Sequence, residues 1–179
     1  DALTQGDDNL AIGYDAMGAL STTDVSDKNI AIGNYAMDGV TTLAATENVF
    51  IGYGSGGGSW TGTLSSHNVA IGNSTMTGAM NAATYNVGVG YNALTALTTG
   101  DYNIVMGAQA GASLTTGERN IFIGHAAGNT TTDVSFSVMV GHGAGNGGDI
   151  TDAADGTVAV GYQALDALTT GAGNTAVGY

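Results

Sequence analysis

The sequence points to a mainly β chain, folded as a parallel β-solenoid of the β-roll kind with about ten coils of 17–20 residues. Three observations carry that expectation. Nearly the same five residues recur ten times, from Asn9-Leu10-Ala11-Ile12-Gly13 and Asn29-Ile30-Ala31-Ile32-Gly33 through to Asn174-Thr175-Ala176-Val177-Gly178. The repeats start at 9, 29, 48, 68, 86, 103, 120, 137, 157 and 174, and a short motif on a near-constant period marks stacked repeats. Residue types alternate within each motif with the period of a strand, and every motif closes on glycine. One array therefore fills residues 1–179.

Counting the leading Asn as position one, position two is Leu10, Ile30, Val49, Val69, Val87, Ile104, Ile121, Val138, Val158 and Thr175. Position four is Ile12, Ile32, Ile51, Ile71, Val89, Met106, Ile123, Val140, Val160 and Val177. Side chains two apart on a strand share a face, and these large, mostly β-branched residues are expected to fill the coil interior. Position three points the other way: Ala11, Ala31, Phe50, Ala70, Gly88, Val105, Phe122, Met139, Ala159 and Ala176. It is apolar throughout and mostly small. The expectation is an oligomer seam between parallel copies, since long exposed apolar stripes mark interfaces. A second internal layer, made by the chain folding back on itself, is the alternative.

Position five is Gly in all ten repeats, as expected where the chain needs a positive φ or a close backbone contact. Asn leads eight repeats, with Ser137 and Thr157 as the exceptions. Stacked Asn side chains can form a hydrogen-bonded ladder or close a turn. After the glycine, Tyr91-Asn92-Ala93-Leu94-Thr95-Ala96-Leu97-Thr98-Thr99-Gly100 is nearly repeated at 162–171. Ala93, Leu94 and Leu97 have helical spacing, so a helical turn or an irregular arc is expected, with a second short strand as the alternative. Ten coils at ~4.8 Å make a rod of about 45–50 Å. Residues 1–9 align with 166–174, so the array starts mid-coil, and Tyr179 follows directly on a strand. A solenoid needs capped ends, and a longer fibre extending both ways is expected.

Composition narrows the partners. The net charge is −13, with Lys28 and Arg119 the only basic residues besides histidine. Phosphate binding draws on Lys and Arg, so nucleic acid is not an expected partner, nor is an anionic membrane surface. No apolar run approaches the ~18 residues of a membrane span. Cysteine is absent, which excludes disulfide staples. Glycine is abundant at 31 of 179, yet 43% of residues are apolar and periodic, which separates the chain from disordered sequences.

The Asn-x-Ala-Ile-Gly units resemble the head repeats of trimeric autotransporter adhesins. The longer form, Asn174-Thr175-Ala176-Val177-Gly178-Tyr179 after Leu168-Thr169-Thr170-Gly171, is similar to repeats of phage tail fibres and related bacterial surface fibres. The resemblance covers the whole chain. It implies an extracellular β-solenoid, usually an intertwined or side-by-side homotrimer, on a virion or a bacterial surface. The adhesin repeat is shorter than the spacing here, and no catalytic residue carries over. The expected function is thus a structural or adhesive segment of a phage tail fibre used in host attachment. A bacterial adhesin or appendage is the alternative, and a glycan-cleaving tailspike enzyme a distant third.

Candidate sites are few, and no cofactor is expected. His125 and His142 follow the glycine in neighbouring coils, where they could share a metal. Asp149, Asp152 and Asp155 put three carboxylates on one inserted loop, a set of oxygens calcium accepts, although their spacing matches no standard calcium loop. Tyr53 and the other tyrosines after the glycine could stack on a cell-surface glycan or cap the core edge. Trp60, in a glycine-rich loop without the Gly-Lys-Ser/Thr of a phosphate loop, would plug the seam or present a contact. Adjacent threonines, as at Thr98-Thr99, point to opposite faces of a strand, which argues against an ice-binding array. The acids lie mainly in variable loops rather than converging on one face, so an enzyme is not expected.

Overall fold

A computed structural model describes residues 6–19, 26–40, 45–60, 62–148 and 150–179. Each coil contributes one three-residue strand: β1 (Leu10–Ile12), β2 (Ile30–Ile32), β3 (Val49–Ile51), β4 (Val69–Ile71), β5 (Val87–Val89), β6 (Ile104–Met106), β7 (Ile121–Ile123), β8 (Val138–Val140), β9 (Val158–Val160) and β10 (Thr175–Val177). All ten form a single sheet in chain order, and every neighbouring pair is parallel. Equivalent positions stack in register, as where Val69, Ala70 and Ile71 face Val87, Gly88 and Val89. The fold is a parallel β-solenoid, and each strand occupies positions two to four.

The two faces of that strand are the reverse of the expectation. Position three lines the interior: Ala31, Phe50, Ala70, Val105, Phe122, Met139 and Ala159 are all 0% exposed, and Gly88 is buried with them. Only in the terminal coils is position three less than buried, with Ala11 exposed and Ala176 half-buried. Positions two and four point outward and are half-buried or exposed, with Ile71 at 40%, Ile104 at 42% and Ile12 at 53%. The proposed Ala seam is therefore the inner wall of the coil, and the Ile/Val rows are its outer surface.

Packing across the coil explains the small inward residues. Position nine lies on the wall opposite position three, and the two are complementary in size. Ala31 faces Met37, Ala70 faces Met76 and Gly88 faces Leu94, whereas Phe50, Val105, Phe122 and Met139 are matched by Gly56, Gly111, Gly128 and Gly145. A Cβ added at Gly56 would lie 2.6 Å from the Phe50 ring, and one at Gly128 would lie 2.8 Å from the Phe122 ring. The lumen thus admits one large side chain per coil from this pair of walls. A further row completes the core, including Val40, Trp60, Met80, Leu97, Leu114 and Ile150.

The segment after the glycine is an irregular arc of successive turns, not a helical turn. Its backbone is left-handed at positions seven and nine, for example at Asn92 (φ 54°) and Leu94 (φ 52°). Coil-to-coil hydrogen bonds hold it from both sides: Asn92 N–H donates to Asn73 O in the preceding coil and Leu94 N–H to Ala110 O in the next. A right-handed helix would turn these amides onto its own carbonyls and leave the stack unpaired. The residue before the motif is also left-handed, from Asp8 to Phe136 (φ 57° to 60°), and forms the other corner.

The leading Asn residues form the expected ladder, in the buried interior. Asn86 Nδ2 donates to Asn68 Oδ1 (3.1 Å) and to Gly100 O (2.8 Å). Its Oδ1 accepts from both the backbone N–H and Nδ2 of Asn103, each at 3.0 Å. Where Asn is replaced, hydroxyls carry the ladder on. Ser137 N–H donates to Asn120 Oδ1, and Thr157 N–H to Ser137 Oγ. The paired threonines add inter-coil bonds of their own, with Thr98 Oγ1 donating to Thr115 O and Thr115 Oγ1 to Thr132 O.

Candidate interaction surface

The outward face of the sheet is the most distinctive surface of the chain. Its centre is the two aliphatic rows at positions two and four. No Asp, Glu, Lys or Arg occurs at positions two to six of any coil, although the chain as a whole carries a net charge of −13. Four residue steps of ~3.3 Å, from position two to position six, and nine coil spacings of ~4.8 Å give this face a footprint of about 570 Å². That is at the upper end of the ~300–600 Å² of a monomer's largest apolar patch, a size that often marks a functional surface.

Rings and charges border it on one side and rings on the other. At the corner before the motif, Lys28 Nζ lies 3.6 Å from Glu47, and Glu47 lies 2.5 Å from His67 Nε2. His67 stacks on Tyr85 (4.6 Å between centroids) and Tyr85 on Tyr102 (5.0 Å). Arg119 then lies between Tyr102 and Phe136, 5.4 and 5.5 Å from their ring centres. At the other corner His125, His142, Tyr162 and Tyr179 stack in succession at 4.9, 5.2 and 5.3 Å. Rings stacked along the rod occupy one another's faces, so they offer edges rather than flat platforms. Tyr53 is 56% exposed and meets Tyr35 edge to face.

The remaining candidates separate clearly. Trp60 is not a surface contact: it is 3% exposed and packs against Phe50 at 5.4 Å inside the coil. The indole meets the Phe50 ring edge to face, 70° between planes, as part of the buried core. Asp152 begins a short 3₁₀ turn, Asp152–Ala154. Asp155 Oδ1 accepts the Ser135 N–H at 2.7 Å, and Asp152 N–H donates to Asp133. Asp155 thus commits its carboxylate to inter-coil bonding and Asp152 its backbone amide, while Asp149 lies outside the described residues. No group of three or more His, Cys, Asp or Glu side chains able to hold a metal occurs among the described residues.

A recess is lined by Asp15, Gly18, Ala19 and Asp38. Burial raises the Asp38 carboxyl above its ordinary range, and Asp15 adds to the shift. The recess has carboxylates but no partner base or nucleophile among those residues. No helix in the described residues is long and apolar enough to cross a membrane.

The outward orientation of the Ile/Val rows was missed from sequence because both strand faces are apolar. The signal that could have revealed it is the size exchange between positions three and nine across the repeats. Comparison with known proteins found no matching family model, curated relative or solved structure.

Proposed function

We propose that the chain is a structural rod segment of an extracellular fibre, in the manner of a phage tail fibre used in host attachment, and that it works as a parallel homo-oligomer. The single observation supporting this is the uncharged Ile/Val face, unbroken over ten strands. Its footprint of about 570 Å² is the larger part of the ~800 Å² per partner of a standard stable interface, and the flanking rows of rings add to the contact. The chain's net charge of −13 opposes contact between copies where its acids lie, and this face carries none of them in any coil, so a second copy can approach it without that repulsion. The resemblance of the repeats implies three copies.

The mechanical role follows from the ladders. Strand pairing, the buried Asn ladder and the threonine bonds all run along the rod, so bending or stretching it strains many hydrogen bonds together. A rod of this kind would hold a distal binding element away from its base. Sedimentation equilibrium of the 179-residue chain tests the proposal: a trimeric mass supports it, and a stable monomer at micromolar concentration contradicts it.

A further inference from the structure

We propose that His125 and His142 form a two-imidazole clamp for a borderline divalent cation of the zinc or nickel type. Both rings follow the strand-ending glycine in successive coils, and the in-register stack places them 4.9 Å apart, 18° from parallel. Both residues are exposed. Among the described residues neither imidazole has a hydrogen-bond or ion-pair partner. His67, in contrast, is held by Glu47 and Ser66.

The donor type selects the metal. Imidazole nitrogen suits zinc, nickel and copper, whereas calcium and magnesium take oxygen. Bonds of about 2.0–2.1 Å to a tetrahedral ion put two ligand nitrogens about 3.3 Å apart. The stacked rings hold their in-plane nitrogen lone pairs side by side, so both exposed side chains turn out of the stack to bring two nitrogens onto one ion, His142 leaving the Tyr162 ring as it does so. The carbonyls behind them are already fixed, since His125 O accepts from Gly143 N–H and His142 O from Gln163 N–H. The strand rows beside the pair, Ile123 and Val140, supply no competing ligand, so water completes the coordination. The chain's net charge of −13 draws cations toward the rod.

Binding would tie the seventh coil to the eighth across a gap that strand pairing already bridges, and so add a second cross-link on the outer corner. It requires ring nitrogens free of a proton, so protons compete with the ion.

Isothermal titration of the untagged chain with zinc chloride, and separately nickel chloride, at pH 7.5 tests the assignment. The expected result is one site per chain, weakened at least tenfold by His125→Gln and to a similar extent by His142→Gln, and unchanged by His67→Gln. Circular dichroism of each variant confirms that the fold persists. An absence of binding overturns the proposal, as does binding that survives either substitution or that is lost with His67→Gln.

Discussion

Exchanging the large and small residues across the seventh coil should reveal the size complementarity of the lumen as a coupling energy. Phe122 is 0% exposed, and Phe122→Ala leaves a ring-sized void costing about 3–5 kcal/mol. Gly128→Met places a Cβ 2.8 Å from that ring and forces an overpacked side chain, about 1–3 kcal/mol. It also puts a non-glycine residue in a left-handed conformation (φ 58°), at roughly 1–2 kcal/mol. Added independently, the two changes would cost about 5–10 kcal/mol, enough to threaten a fold whose total stability is ordinarily about 5–15 kcal/mol. Together they recreate the arrangement of the second coil, Ala31 with Met37 at φ 55°. The double variant should therefore lose no more than about 1–3 kcal/mol, chiefly the left-handed cost. Guanidinium unfolding of the parent, both single variants and the double variant gives the coupling directly. A value of at least about 3 kcal/mol is expected. Additive losses would refute the claim that positions three and nine share one interior.

Other consequences follow from the ladder and the glycine corner. Asn86→Asp keeps the shape of a fully buried side chain but turns its amide donor, now on Asn68 Oδ1 and Gly100 O, into a second acceptor. A loss of about 3–5 kcal/mol is expected in chemical denaturation, against a smaller loss for Asn86→Ser, the residue already tolerated at Ser137. Gly90 has φ 139°, and a Cβ there would lie 2.5 Å from the Gly107 carbonyl oxygen, whereas Gly173 has φ 70° with nothing near its Cβ position. Gly90→Ala should lower stability by at least about 3 kcal/mol and Gly173→Ala by about 1 kcal/mol, and equal melting temperatures for the two variants would count against the stacked corner.

Much of the architecture was legible in the sequence because it depends on local chemistry repeated in register. The period placed all ten strands, the invariant glycine marked the corner, and the Asn column gave the ladder. What hydrophobicity could not give was the inside of the coil. Alternation assigns faces when one side is polar, but here Ile104 and Met106 outside are as apolar as Val105 inside. Large β-branched residues suggested a core, yet the lumen is narrow and its opposite wall, through Met76 or Leu94, already fills it. Phe50 with Gly56 and Phe122 with Gly128 held the answer, as a correlation between distant columns rather than a property of either. Trp60 was equally hidden: its contact with Phe50, which buries it, joins two distant positions of the third coil. The arc from Tyr91 to Gly100 had helical spacing, but its amides are needed by the coils above and below.

The most direct test of the outward Ile/Val face as an assembly surface is the sedimentation mass of Ile104→Lys beside that of the parent chain. The side chain of Ile104 is open to solvent in the single rod, so the lysine variant should keep its circular dichroism spectrum and fall to monomer while the parent remains oligomeric. A lysine variant that keeps the parent's oligomeric mass, or a parent that is already a folded monomer, would contradict the account.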